Sequence, residues 1–236
     1  MCIRDSSYPT ACFKVKVIFK ILRRDFIQAA RSSGNWAYGP VFMAIFLSLC
    51  AIALDGKISL LRQLGIPLIW LAMTFAALMS VDKVFADDLR DGTTGQLWLS
   101  GVTYLTQALA GLLSFTLIYL LPLLITAPLW SLLFDLKPDI VTGLIFALIC
   151  ALPGLAAFTG LAGALTGTRG KGGFLAIFIS APFLVPVLIF GISAPNSYLT
   201  DGLAAIEFRA LIGLSLIALA LSIPASAAAL SVNTDR

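Results

Sequence analysis

The sequence contains no histidine among its 236 residues, and its four cysteines are scattered at Cys2, Cys12, Cys50 and Cys150. Without histidine, the chain lacks the commonest metal ligand and the usual proton carrier near neutral pH. It also lacks every Ser-His and Cys-His catalytic pair. No CxxC motif is present, so we expect neither a disulfide framework nor a zinc site.

Charge is also scarce, because only 12% of the residues are charged while 59% are hydrophobic. Soluble domains carry about 25% charged residues. Apolar runs of about 18 residues or more place the chain in the integral-membrane class. We expect an all-α fold, because a helix satisfies its backbone hydrogen bonds within one segment. The alternating segments that a membrane β-barrel needs are not present.

The apolar runs predict six transmembrane helices, at residues 36–54, 64–81, 104–130, 140–165, 174–192 and 210–230. The third is longer than a span requires, so we expect a kink at Pro122 or a broken helix end. Residues 193–208 are polar and rich in helix breakers, which indicates a re-entrant or surface helix.

Ahead of the spans, residues 13–31 have apolar side chains at helical spacing, with basic residues between them. This pattern predicts an amphipathic helix that lies in the headgroup layer. We therefore divide the chain into a poorly defined N-terminal tail at 1–12, a single transmembrane domain at 13–230 and a short cytoplasmic tail at 231–236.

The charge that is present is concentrated in residues 82–92, hereafter the charged segment, which has six charged residues in eleven positions. Apolar spans flank it, and a charge at the bilayer centre costs roughly 2.5–3.5 kcal/mol, so it must lie at a membrane face. Asp82 and Lys83 either snorkel to the surface or begin a surface that a soluble partner grips. We favour the second interpretation, because the segment mixes apolar and charged faces.

The basic residues predict the orientation of the bundle. Placing both termini in the cytoplasm puts twelve of the 16 Lys and Arg residues inside, and leaves outside only Lys57, Arg62, Lys137 and Arg209. The positive-inside rule therefore favours cytoplasmic termini and a cytoplasmic charged segment.

Two glycine patterns have competing interpretations. Residues 168–173 contain Gly-Lys-Gly-Gly but lack the GxxxxGK[ST] order of a phosphate loop, so they predict a tight basic turn and no nucleotide site. Gly160, Gly163 and Gly167 have the spacing that allows helices to approach closely. Packing within the bundle or across a dimer is the favoured interpretation, and a substrate path is the alternative.

Three stretches resemble a known family. Residues 19–25 read Phe-Lys-Ile-Leu-Arg-Arg-Asp, and the charged segment leads into Gln96-Leu97. A Gly/Ala-rich stretch at 160–173 precedes Val-Pro-Val-Leu-Ile-Phe at 185–190. With these stretches, residues 13–230 resemble the haem exporter protein B family, CcmB. The family's Glu before Gln-Leu is Gly95 here, which is a departure from its pattern.

The resemblance implies an ABC-2-like permease bundle in a bacterial inner membrane, working as a non-catalytic subunit beside a separate CcmA-like ATPase. It also implies CcmC-like and CcmD-like membrane subunits and, indirectly, a CcmE-like periplasmic haem chaperone. Haem export, or release of the haem-loaded chaperone, would then be coupled to ATP hydrolysis in c-type cytochrome biogenesis. Haem is the implied ligand, as cargo, and no catalytic residue, metal or directly bound cofactor is assigned.

The charged segment is the expected contact for the ATPase. We assign this contact to Asp82, Phe85, Asp87, Asp88, Arg90, Asp91 and Gly92, with Phe85 as its apolar anchor. The alternative function is an ABC-2-type permease for another lipid-like or drug-like substrate. An ion-coupled carrier is disfavoured, because the predicted span interiors contain no ionisable residue.

Overall fold

A computed structural model describes residues 11–31, 35–166 and 172–234, and all regular structure in these ranges is helical. Ten α-helices follow one another, joined by short 3₁₀ turns at Asn35–Ala37, Val81–Lys83 and Gly202–Ala204 and a π-helical turn at Thr116–Leu120. They are α1 (Ala11–Arg31), α2 (Tyr38–Ala53), α3 (Ile58–Met79), α4 (Ala86–Arg90), α5 (Thr93–Leu99), α6 (Tyr104–Phe115), α7 (Leu121–Leu133), α8 (Pro138–Thr166), α9 (Gly172–Asp201) and α10 (Ile206–Thr234).

Five helical stretches in the described ranges are long and apolar enough to cross a membrane. They are Ile58–Met79, Tyr104–Leu133, Pro138–Leu165, Pro182–Ala204 and Ile206–Thr234. The remaining predicted span, the first one at residues 36–54, corresponds to α2, which is apolar but has only 16 residues. At 1.5 Å per residue such a helix is about 24 Å long, shorter than the roughly 30 Å of a hydrocarbon core.

The predicted interruption at residues 193–208 is largely absent. Instead, α9 continues through Pro182, Pro186 and Pro195 as far as Asp201, and only the short turn at Gly202–Ala204 separates it from α10. Each proline removes one backbone hydrogen bond, but a continuous helix still satisfies the remaining peptide groups. Local composition therefore overstated the break.

The third predicted span is irregular close to the position where the sequence predicts a kink. A π-helical turn, Thr116–Leu120, lies between α6 and α7, directly before Pro122. Proline lacks the N–H that would bond four residues back, and a π turn accommodates that loss within a continuous helix. The hydroxyl of Thr116 also donates to the carbonyl oxygen of Leu112 at 2.8 Å.

The bundle is organised around α8, which contacts α3, α6, α7, α9 and α10. Glycines let the helices come close. Gly191 of α9 lies against the buried indole of Trp70 in α3, and Gly143 of α8 lies against Pro195 and Tyr198 of α9. Lipid gives no hydrophobic driving force for helix association, so the close packing that small residues allow at such crossings stabilises the bundle instead.

The two ends of the bundle differ in construction. At one end, hereafter the α1 end, lie α1, the charged segment, α5 and the last turns of α8 and α10. There the amide of Asn233 donates to the carbonyl oxygen of Ala164 at 3.0 Å. At the other end, hereafter the opposite end, the described part of the chain has only short turns, at residues 54–57, 134–137 and 202–205. An exposed ion pair between Arg62 and Asp135 lies there.

Candidate functional site

The charged segment folds into short helices. After the 3₁₀ turn Val81–Lys83, α4 begins at Ala86 and ends at Arg90. Gly92 then adopts a φ of 70°, a left-handed conformation that favours glycine, and α5 starts at the next residue. Two acidic residues occupy the first turn of α4 and Arg90 its last, which matches the helix dipole.

The inner face of the segment is apolar and packs on the bundle. Phe85 is only 4% exposed, and its ring lies so close to Gly111 of α6 that no side chain would fit there. Val84 and Leu89 are also buried. Phe85 thus anchors the segment to its own bundle in this conformation, which differs from the partner contact predicted for it.

The glycines of α8 receive the start of the segment. A Cβ atom on Gly163 would lie 2.8 Å from the carbonyl oxygen of Val81 and 3.5 Å from Cβ of Val84. Gly160 lies against Leu112 of α6. Gly167, the third glycine of the predicted stripe, lies outside the described residues. The two described glycines therefore bring α8, α6 and the charged segment into close contact.

Charged side chains tie the segment to α1 as well. Arg24 of α1 donates from one nitrogen to both carboxylate oxygens of Asp88, at 2.9 and 2.8 Å, and from Nε to Asp25 at 2.8 Å. Asp25 in turn accepts a 2.5 Å hydrogen bond from the hydroxyl of Ser114 in α6. Such charge-assisted bonds are stronger than neutral ones, so α1, α4 and α6 are held by one connected network.

The pair of Arg24 and Asp88 has shifted protonation equilibria. Burial raises the pKa of the Asp88 carboxyl, and the neighbouring Arg24 guanidinium opposes that rise. For Arg24, burial alone would lower the pKa, but the Asp88 and Asp25 carboxylates more than compensate and raise it. Each charge is therefore stabilised mainly by the other, which makes the pair sensitive to loss of either member.

A polar cavity of about 90 Å³ lies where α1, the charged segment and α6 meet. It exceeds the space that one water molecule needs. Side chains of both charge signs line it, among them Arg24, Asp25, Asp87, Asp88, Ser114 and Tyr119. The junction of these three elements therefore combines a polar cavity with the apolar contacts of Val84, Phe85 and Leu89.

A further contact positions α5. The side-chain amide of Gln107 in α6 is buried and donates to the carbonyl oxygens of Thr94 at 3.3 Å and Val102 at 3.1 Å. At the far end of α5, Trp98 stacks on Tyr104 with a centroid separation of 4.6 Å. α5 is therefore fixed to α6 at both ends.

The outer edge of the segment is charged and exposed. Arg90, Asp91 and Gly92 are exposed, and Asp87 is half-buried. Arg90 and Asp87 approach only to 3.9 Å, which is a weak, solvent-screened pair. These four residues form a charged surface, hereafter the outer edge, in which Asp87 also borders the polar cavity and the other three are exposed.

The predicted site residues thus separate into groups. Asp87, Arg90, Asp91 and Gly92 lie together on the outer edge, whereas Asp88 and Phe85 hold the segment to the bundle. The side chain of Asp82 is outside the described residues. Sequence reasoning missed the partnership of Asp88 with Arg24, which is 64 positions away. Unpaired charges of opposite sign on both segments were the available signal, but they do not specify which residues pair.

Metal binding finds no support in the described part of the chain. There, no three Asp, Glu or Cys side chains cluster in a way that could hold a metal ion, and the sequence contains no histidine. The site is therefore a packing and charge-pairing surface.

An all-helical bundle with five membrane-length apolar helices, carrying a structured charged surface at one end, defines a polytopic membrane protein. Comparison with protein-family models then gives the particular family. The model described as CcmB protein matches residues 16–233, and the chain belongs to this family.

Individual relatives agree with that assignment. Heme exporter protein B of Bradyrhizobium diazoefficiens is 30% identical over 217 residues, which cover 91% of this chain and 97% of the relative. The protein of the same name from Pseudomonas aeruginosa is 31% identical over 213 residues, 90% and 96% of the two chains. That of Escherichia coli K12 is 30% identical over 182 residues, 77% and 82%.

Proposed function

We propose that this protein is the membrane subunit of an ABC-type haem exporter complex, with ATP hydrolysis carried out by a separate ATPase subunit. The relatives are named heme exporter protein B, and the similarity extends over nearly the whole of both chains.

The membrane topology that fits this role has six spans and two cytoplasmic termini in a bacterial inner membrane. α2, together with the 3₁₀ turn Asn35–Ala37, supplies the sixth and shortest span. The twelve-to-four distribution of basic residues supports the orientation, because the α1 end carries the basic majority. α1 then lies at the cytoplasmic membrane surface, and residues 13–230 act as one transmembrane domain.

The outer edge of the charged segment is the proposed docking surface for the ATPase. The observation that carries this proposal is the two-sided construction of the segment. Its inner face is tied to α1 by the Arg24–Asp88 pair, to α6 by Phe85 and to α8 by the residues that pack on Gly163, while its outer edge is charged and largely exposed. A surface fastened to three helices can pass a displacement to all of them.

The proposed coupling is a population shift. If the ATP-bound ATPase binds the segment more favourably in one position, the equilibrium moves toward that position by the difference in binding free energy. Movement of the segment displaces α3, α6 and α8 relative to the rest, because the segment leaves α3 directly and packs on the other two. The output is haem export or release of a haem-loaded chaperone at the periplasmic side.

The wider complex follows from the family. CcmA-like, CcmC-like and CcmD-like subunits and a CcmE-like haem chaperone are the partners we assign, with haem as cargo. Gly95 stands where the family pattern has Glu, and a Cβ atom there would meet nothing within 4 Å. The contact with the ATPase is therefore expected to rely on the four outer-edge residues more than on position 95.

Charge reversal at the outer edge tests the docking proposal. The double variant Asp87→Lys, Asp91→Lys is co-expressed with the ATPase, and the amount that co-purifies is measured. Asp88 is left intact, since reversing it would also release α1. Like charges brought together at an interface cost several kcal/mol, so we expect a loss of about tenfold or more.

The matched control reverses two acidic residues at the opposite end, Asp139→Lys and Asp201→Lys, both exposed. It should retain the ATPase at the wild-type level. Thermal unfolding of both variants shows whether the bundle is intact. Equal co-purification of the two double variants would refute docking at the outer edge.

A further inference from the structure

The outward surface of α1 carries two parallel stripes of different chemistry. Val15, Phe19 and Phe26 are between 64% and 69% exposed, and their spacing of four and seven residues places them on one helix face. Beside them run the exposed basic side chains of Lys16, Lys20 and Arg23. An exposed apolar stripe next to a basic one is typical of a helix that binds a membrane surface.

The orientation of these stripes is fixed by the inner face of α1. Ile21 is buried, Arg24 is bound to Asp88, and Asp25 accepts a hydrogen bond from the hydroxyl of Ser114. Asp25 is the only acidic residue of α1 and lies on this inner face, so the outward surface is purely basic in charge. α1 cannot roll to hide either stripe without breaking these contacts.

An apolar crevice opens beside the C-terminal half of α1. Phe26, Ala30 and Trp36 form one wall, and Leu117 and Pro122, which flank the end of the π-helical turn, form the other. Its volume is about 370 Å³, within the range of small-molecule binding sites. The crevice therefore lies between α1 and the π-helical turn of the third span.

The basic stripe reaches the edge of this crevice. Arg23 lies three residues before Phe26 and seven before Ala30, so its side chain projects from the same side of α1 as the crevice wall. Within the described part of the chain, neither Arg23 nor the nearby Lys20 takes part in an ion pair. An apolar recess bordered by unpaired cationic groups is complementary to an anionic amphiphile.

We propose that this crevice binds one anionic membrane phospholipid, with an acyl chain between α1 and the π-helical turn and the phosphate against Arg23 and Lys20. The proposal rests on the placement of α1 at the membrane surface given above. The bound lipid would fill the gap between α1 and the third span and so stiffen the support of the charged segment. The crevice adjoins the polar cavity, with which it shares Ala29 and Ile118, but none of its lining residues belongs to the outer edge.

Fluorescence of Trp36 tests the site, because this side chain lines the crevice and is 44% exposed. The full chain is reconstituted in phosphatidylcholine vesicles that contain a small, equal fraction of either brominated phosphatidylglycerol or brominated phosphatidylcholine. Because the chain has four tryptophans, the quenching due to Trp36 is obtained as the difference between the wild-type protein and the Trp36→Phe variant. We expect it to be about two- to fivefold stronger with the anionic lipid, since each basic residue attracts anionic lipid appreciably.

Two charge variants sharpen the test. Arg23→Gln should remove most of the preference for phosphatidylglycerol, and Lys137→Gln, an exposed residue at the opposite end, should leave it unchanged. Equal quenching by both brominated lipids would overturn the anionic site while leaving α1 at the membrane. Absence of Trp36 quenching by either lipid would overturn the membrane placement as well. An unaltered preference in Arg23→Gln would overturn the assigned phosphate contact.

Discussion

The two ends of the bundle each contain an arginine–aspartate pair, and the two pairs differ in their surroundings. At the α1 end, the side chains of Arg24 and Asp88 are 35% and 34% exposed, and their network extends to Asp25 and Ser114. At the opposite end, the side chains of Arg62 and Asp135 are 60% and 58% exposed and join only a turn to α3. The first pair holds α1, α4 and α6 together, whereas the second links an exposed turn to α3.

The turns show the same contrast. The opposite end reverses direction with residues in left-handed conformations, such as Asp55 and Gly56, and a few backbone hydrogen bonds. At the α1 end, by contrast, α1, α4 and α5 together form and support the outer edge. This asymmetry is one reason why we propose the α1 end as the place where a second protein acts on this one.

The largest expected effect comes from two close glycine contacts on α8, one near each end. In Gly163→Ala the new methyl group would meet the Val81 carbonyl oxygen at 2.8 Å, and in Gly143→Ala it would meet Cβ of Tyr198 at the same distance. Overpacking of this kind costs about 1–3 kcal/mol, so both variants should melt at lower temperature in detergent. Only Gly163→Ala should also lower ATPase co-purification, because it displaces the charged segment. Equal loss of ATPase from both would contradict the proposed asymmetry.

The ion pairs give the next comparison. Arg24→Ala leaves the half-buried Asp88 carboxylate without its partner and should lower the free energy of unfolding by about 1–2 kcal/mol. Arg62→Ala removes an exposed pair and should cost no more than about 1 kcal/mol. Parallel thermal melts of the two purified variants measure the difference. Indistinguishable melting temperatures would show that the Arg24 network does not hold the three elements together.

The smallest effect separates backbone strain from function. Gly92 and Gly56 both have positive φ, 70° and 64°, and a Cβ atom added at either position would meet nothing within 4 Å. Replacing either by Ala should cost about 1 kcal/mol through backbone strain alone. Gly92→Ala should reduce the stimulation of ATP hydrolysis that the membrane subunit gives to the ATPase, because the turn sets the angle between α4 and α5. Gly56→Ala should leave this stimulation unchanged. Wild-type stimulation of ATP hydrolysis by Gly92→Ala would show that this turn is not part of the docking surface.

Much of the architecture follows from composition and hydrophobic run length. The all-helical fold, the positions of most long helices and the irregularity near Pro122 are readable because lipid leaves the backbone few alternatives. Residues 193–208 were harder, since proline and polar residues indicate a break in water-soluble chains but not in a helix that is held within a bundle. The short α2 likewise falls at the limit where length alone does not decide a span.

The candidate site was predictable only as a location. Clustered charge between two apolar runs identifies residues 82–92 as an interfacial surface, and sequence alone goes no further. Which charges face outward depends on the rotation of α4, which Phe85 and Leu89 fix by burying their side chains. Pairing of Asp88 with Arg24 depends on where α1 folds back, and that is a tertiary contact without local sequence pattern.

Site-specific photo-crosslinking tests directly whether the ATPase docks on the outer edge. A benzophenone amino acid is introduced at Asp91 on the outer edge or, as a control, at Asp201 at the opposite end, both exposed. After irradiation of membranes containing the ATPase, we expect an adduct of membrane subunit and ATPase from position 91 and none from position 201. An adduct from position 201, or none from position 91 in a complex that still co-purifies, would contradict it.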